Sequence, residues 1–342
     1  MIVRRHTAGY NFWGDTQTGI TMRWGEAIGE NPVYAPWPEL ADISISNHCT
    51  KGCDFCYRDS KNNNSFMPVE QYEKVLEALH SERWGYVFQV ALGGGEPLEH
   101  PEFCEIINKT HERGIIANFT TNGVHLNENT VRFLKGKVGA LAISATNMEE
   151  VSPDILPALF ESGIKTNIHF ILNNESIHYA IKILRGKYNE RLKYVNGIIF
   201  LTYKPRGRAD PGKCLKPDTK MHDFLKLVNN SKCKCSVGFD ACFVPPLMKY
   251  TDVNVDYIDS CECGFFSVYV DENMNVKPCS FAHNNEYSYN LKEYNMETIW
   301  GKKYAEYRKE ILRHKCANDC KNKKDCRGKC VYYDDLSFCY VG

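Results

Sequence analysis

Between Glu39 and Asn230 short apolar runs alternate with amphipathic segments in a strict series, and that alternation leaves the chain few folds to choose from. The runs Ala41–Ser46, Tyr86–Leu92, Ile115–Thr120, Val138–Ser144, Thr166–Leu172 and Val195–Thr202 have the length and composition of strands. Interleaved with them, Pro68–His80, Pro101–Arg113, Glu128–Leu134, Pro153–Glu161, Glu175–Lys187 and Asp218–Val228 carry helical periodicity, with Gly114 and Gly163 closing two of them. Strands joined in series by helices lie parallel, because each crossover returns the chain to the same end of the sheet. The expected fold class is α/β, a partial (βα)6 TIM-like barrel, with a doubly wound sheet as second choice.

Alternation within the strands describes the interior. In Thr166–Leu172, Asn167, His169 and Ile171 share one face, and Ile168, Phe170 and Leu172 share the other, which should meet the helices. Gln89 and Ala91 stand against Phe88, Val90 and Leu92, and Ala142 and Ser144 against Leu141 and Ile143. The lumen is therefore partly polar, as a ligand cavity would be.

After Asn230 the alternation stops and cysteines crowd in: Cys233, Cys235, Cys242, Cys261, Cys263, Cys279, Cys316, Cys320, Cys326, Cys330 and Cys339. Three regions are expected: an N-terminal hairpin or extension over 1–40, the barrel over 41–230, and a cysteine-rich module over 231–342 that metal cross-links would help to fold. The 16 cysteines in 342 residues fall short of the ~8–10% of a small disulfide scaffold, and Met1 to Asp15 contains no apolar signal segment. A cytoplasmic location with reduced thiols is expected, with no membrane partner, since no apolar run approaches the ~20 residues of a span. Lys+Arg and Asp+Glu both number 42, and this balance argues against a nucleic-acid partner.

The chemistry concentrates at strand ends. Cys49-Thr-Lys-Gly-Cys53-Asp-Phe-Cys56 follows the first strand, and three thiolates within eight residues can hold three irons of a cubane while the fourth iron stays open. Zinc is the alternative, with His48 as a fourth ligand. Gly93-Gly-Gly-Glu96-Pro97 follows the second strand, Thr121-Asn122-Gly123 the third, and Ala142-Ile-Ser144 ends the fourth. Motifs of these kinds, in this order on successive strand ends, resemble the radical S-adenosylmethionine (SAM) superfamily over about residues 40–230.

The resemblance implies a SAM-binding [4Fe–4S] cluster on Cys49, Cys53 and Cys56, with Phe55, Gly94, Gly95, Glu96, Asn122, Ser144 and Asn173 around SAM. Glu96 would accept from its ammonium group and Phe55 would pack against adenine. Many relatives place an Arg soon after the fourth-strand Ser, whereas Ser144-Ala-Thr-Asn147 is followed by no Arg before Arg185. The later cysteines resemble the SPASM extension of peptide-modifying radical SAM enzymes. That extension implies one or two auxiliary [4Fe–4S] clusters, with Cys316, Cys320, Cys326 and Cys339 on one and Cys279 and Cys330 with two of Cys242, Cys261 and Cys263 on the other. Met274 stands where that extension commonly has Gly. Zinc or disulfides are the alternatives for this set.

His169 and Tyr203 are the candidate catalytic side chains, and a satisfied interior histidine is the plainer reading of His169. Lys204-Pro-Arg206-Gly-Arg208 ends the sixth strand and resembles a Pro-x-Gly-Arg segment of SPASM-type enzymes. The expected function is reductive cleavage of SAM to a 5′-deoxyadenosyl radical that takes hydrogen from a ribosomally made peptide or protein side chain. A small-metabolite substrate and a cysteine-rich zinc adapter are the alternatives. The expected partners are the substrate, an electron donor of the flavodoxin or ferredoxin type, and a separate leader-binding protein, because about 40 residues before the first strand are too few for a winged-helix domain.

Overall fold

The computed structural model describes residues 1–283, 285–313, 320, 322, 326, 328, 330–333, 336, 338 and 339. Cys316 lies outside the described residues.

The N-terminal segment is a three-stranded antiparallel sheet, β1 (Ile2–Thr7), β2 (Tyr10–Asp15) and β3 (Thr21–Trp24), one strand more than a hairpin. The barrel begins at β4 (Leu40–Ser46), and α1 (Val69–Ala78) leads through the short pair β5 (His80–Ser81) and β6 (Gly85–Tyr86) to β7 (Gln89–Gly94). Next come α2 (Phe103–Glu112), β8 (Ile116–Thr121), α3 (Glu128–Leu134), β9 (Val138–Ala145), α4 (Ile155–Ser162) and β10 (Lys165–Leu172). Helices α5 (Ile177–Leu184) and α6 (Asn189–Leu192) precede β11 (Gly197–Thr202), and α7 (Thr219–Asn229) follows it.

Strands β4, β7, β8, β9, β10 and β11 pair in parallel in chain order, the expected α/β partial barrel. The sheet is longer than the sequence reading at both edges. A seventh parallel strand, β12 (Ser236–Phe239), pairs with β11, so the strand–helix alternation does not stop at Asn230. Four residues with one β-branched side chain, beginning one residue after Cys235, give too little periodicity to announce a strand. At the other edge β13 (Ser267–Val270) pairs in parallel with β4, and β14 (Asn275–Lys277) and β15 (Tyr289–Asn290) continue antiparallel. Met274, in the turn between β13 and β14, has φ 66°, the left-handed region where glycine is at ease.

The faces divide as alternation requires. In β10, Ile168, Phe170 and Leu172 are at most 1% exposed and join the helix-covered core, while Asn167, His169 and Ile171 are half-buried toward the lumen. Residues Ala41, Ile43 and Ile45 of β4 are fully buried, which places Asp42 and Ser44 on the opposite face. Among the described residues no helix is long and apolar enough to cross a membrane.

Candidate functional site: a cysteine loop at the mouth of the barrel

The loop carrying Cys49, Cys53 and Cys56 leaves the C-terminal end of β4, the end at which α/β barrels carry their sites. Its position is fixed from three sides. From β7, Gly95 N donates to Ser46 O at 2.7 Å and Glu96 N to His48 O at 2.8 Å. A β-carbon on Gly95 would stand 1.9 Å from His48 O, and one on Gly94, whose φ is 111°, 2.1 Å from Ser46 O. The glycines thus let two backbones meet, whereas a β-carbon on Gly93 would meet nothing within 4 Å.

From the segment after β7, Glu99 accepts from Thr50 N at 3.0 Å and pairs with His48 Nε2 at 3.3 Å and His125 Nε2 at 3.1 Å. From beyond β11, Arg208 Nε donates to Cys53 O at 3.1 Å, its Nη1 to Ser60 O at 2.8 Å, and its backbone N to Cys56 O at 3.0 Å. Gly207, at φ 65°, passes so close that a β-carbon there would lie 2.4 Å from Cys56 O.

The three thiols are half-buried and free. Burial raises those of Cys49 and Cys53, so without a metal to replace the proton they stay protonated at neutral pH. Asn122 Nδ2 reaches Cys49 Sγ at 3.9 Å, and Ser60 N donates to Cys56 Sγ at 3.4 Å. Thiols with amide donors are a donor set for iron–sulfur chemistry, and three of them fit a cluster with one iron left for a small ligand. Among the described residues no three His, Cys, Asp or Glu side chains close on one metal-ion position.

Glu96 is 1% exposed and already occupied: Oε1 accepts from Leu98 N at 3.1 Å and Thr121 Oγ1 at 2.6 Å, and Oε2 from Asn122 N at 2.7 Å. It joins the β7 turn to the end of β8. Glu96→Gln would turn one acceptor into a donor facing donors, and the expected cost is about 1.5–3 kcal/mol. Urea unfolding of the two proteins checks this; an unchanged midpoint at equal slope would show that the buried carboxylate is not the clamp. Asn173 is likewise engaged, accepting from Glu175 N at 2.8 Å and Ser176 N at 2.7 Å. Ser144, level with His169 in the adjoining strand, and Phe55 are half-buried.

His169 faces the lumen with Nδ1 3.4 Å from Thr120 Oγ1, and burial lowers it to about 4, so it is neutral at pH 7. Tyr203 is 3% exposed; its hydroxyl donates to Asp210 O at 3.0 Å and burial pushes it up to about 12. Neither residue lies in the cysteine loop. The sequence reading passed over Asp42, whose carboxyl makes no hydrogen bond among the described residues and is raised by burial to about 7, against the pull of Arg58. Arg58 donates to Tyr269 Oη at 2.8 Å and pairs with Glu272, which accepts from Ser44 Oγ at 3.0 Å. Alternation in Ala41–Ser46 held the signal for Asp42; nothing local links Arg58 to residues more than 200 positions away.

The C-terminal thiols gather beside the same mouth. Cys263 neighbours Cys261 and Cys279, and Cys242 neighbours Cys330. Arg206 Nη1 donates to Ser280 O at 2.7 Å, so residues 204–208 bridge the first cysteine loop to this group. Cys320, Cys326 and Cys339 are among the described residues, and Cys326 Sγ accepts from Gly328 N at 3.3 Å. Cys104 is exposed on α2. Grouped thiols of this kind fit thiolate-held clusters.

A partial barrel whose first strand ends in a three-cysteine loop, held against a Gly-Gly-Glu turn, is the arrangement that the resemblance to radical SAM enzymes implies. Residues 43–156, a third of the chain, match the profile of the radical SAM superfamily. It is 37% identical over 125 residues to the probable GTP 3′,8-cyclase of Methanocaldococcus jannaschii, a match covering 36% of this chain and 39% of that protein. It is 30% identical over 111 residues to the PqqA peptide cyclase of Ruegeria pomeroyi, covering 30% and 26%. The matched stretches span about half the length, or less, of these curated relatives. The fold is similar to that of SuiB from Streptococcus suis bound to S-adenosylmethionine, at TM-score 0.71 and 16% identity over 96% of this chain and 94% of that one.

Proposed function

We propose that this chain cleaves SAM reductively at a [4Fe–4S] cluster held by Cys49, Cys53 and Cys56 and oxidises or cross-links a side chain of a ribosomally made peptide. The observation that carries it is the half-buried three-thiol loop, fixed backbone to backbone against Gly94–Glu96 at the mouth of a partly polar lumen. When bound and reduced, the cluster with SAM supplies a 5′-deoxyadenosyl radical able to take hydrogen from an unactivated carbon.

The chain's own residues do the positioning. Glu96 holds the turns after β7 and β8 together, Asn122 donates to the Cys49 sulfur, and the half-buried Phe55 ring offers a face to adenine. Ser144, near the end of β9, would hydrogen-bond a ribose hydroxyl. In the lumen, neutral His169 can donate or accept a hydrogen bond, and Asp42, half ionised near neutral pH, can hold a proton. Tyr203 orders the loop to Asp210.

The peptide reading is supported by the relative named a peptide cyclase and by the thiol group of the C-terminal module, read as SPASM-like with one or two auxiliary [4Fe–4S] clusters. A flavodoxin- or ferredoxin-type donor and a separate leader-binding protein complete it. A reducing compartment such as the cytoplasm would keep the many cysteines available as thiolate ligands. The match to GTP cyclases favours a small-metabolite substrate as the second reading. Anaerobically reconstituted chain given SAM and dithionite should release 5′-deoxyadenosine, separable by chromatography; SAM recovered intact from iron-loaded protein would overturn the reading.

A further inference from the structure

The segment after β11 carries a charge the reaction does not obviously need. Lys204 is 6% exposed, and its Nζ donates to Asp240 Oδ2 at 2.9 Å and Thr202 O at 3.0 Å, 4.4 Å from the centre of the Phe281 ring. Asp240 is itself fixed, accepting from Thr202 Oγ1 at 2.7 Å. Phe281 N in turn donates to Cys279 Sγ at 3.4 Å, and Asp240 stands two residues before Cys242, at the head of the short turn Ala241–Phe243. The ion pair thus joins the two segments that bring in Cys242 and Cys279, and its two members exert fields of opposite sign there.

We propose that Lys204 and Asp240 are positioning charges that set the reduction potential of the C-terminal metal centre, Lys204 raising it and Asp240 lowering it. This rests on the reading of Cys242 and Cys279 as cluster ligands. Reduction puts one more negative charge where those sulfurs stand, and a buried cation stabilises it while a buried anion resists it. The electron comes from a one-electron viologen mediator; no bond forms or breaks. Because the charges are paired, removing either one leaves the other uncompensated, and the two removals must have opposite signs.

The test uses the full chain with Cys49, Cys53 and Cys56 replaced by Ala, so that the C-terminal centre alone gives a signal. The protein is loaded with iron and sulfide, poised with viologens, and the reduced cluster is read by electron paramagnetic resonance. At a fixed poise, Lys204→Met should lower the reduced-to-oxidised ratio about tenfold, ~59 mV for a one-electron couple. Asp240→Asn should raise it by a similar factor, and Lys204→Arg should restore the parent value. A structural role alone would lower cluster content in both variants with no shift in potential. Shifts of the same sign, or none, would overturn the proposal. Should Lys204→Met not load, Asp240→Asn decides: a raised ratio supports the proposal and an unchanged one defeats it. A parent variant that binds no iron overturns the cluster reading and this proposal together, whereas loaded clusters with unshifted potentials overturn this proposal alone.

Discussion

Replacing Cys49, Cys53 and Cys56 together by Ala is expected to abolish 5′-deoxyadenosine formation outright. A cubane held by three protein thiolates cannot assemble where none remains, and no other described cysteine stands in that loop. The fold should persist, because the loop is tied down by backbone groups of Ser46, His48, Cys53 and Cys56 rather than by sulfur. Iron is the second readout: three cubanes would give about twelve irons per chain, and the triple variant should keep about eight. Full SAM cleavage by the triple variant would defeat the radical reading. Bound zinc in place of the remaining iron would make the C-terminal module a zinc fold.

The second large effect is expected at Gly95. An alanine there drives its β-carbon to 1.9 Å from His48 O and 2.6 Å from His48 C, both backbone atoms with no rotamer to yield. The loop and the turn must separate, losing the bonds from Gly95 N to Ser46 O and Glu96 N to His48 O. We expect about 3 kcal/mol of destabilisation or more, and loss of the first cluster in chains that still fold. Gly93→Ala, with open space at its β-carbon, is the matched control and should keep both stability and iron. Equal behaviour of the two variants in thermal unfolding and iron analysis would show that the turn does not hold the loop.

What the sequence disclosed follows from how local each signal is. Six parallel strands, their helices and the outward burial of Ile168, Phe170 and Leu172 are written in periods of a few residues and appear as expected. The three-cysteine loop is contiguous and was equally plain. β12 escaped because four residues carry little pattern, and β13 because its partner β4 lies at the other end of the chain. The glycine motif was legible as a motif but not as a packing device: its closest approaches are to Ser46 and His48, a fact only the folded backbone contains. The same holds for Lys204, whose partner Asp240 is 36 residues away and whose sulfur neighbours are further still.

The pairing of β13 with β4 also has a consequence in time. Register places Ser267 beside Leu40 and Val270 beside Ile43, so the outer edge of the first barrel strand stays bare until the ribosome has delivered residues 267–270. At ~5–20 residues per second that wait is roughly 10–45 s, during which β4 presents an unpaired row of peptide groups. Such a late, distant pairing makes the nascent barrel slow to finish and open to edge-to-edge association, the kind of exposure that chaperones exist to cover. Recombinant yield should therefore respond more to added chaperone than to substitutions that merely stiffen the helices.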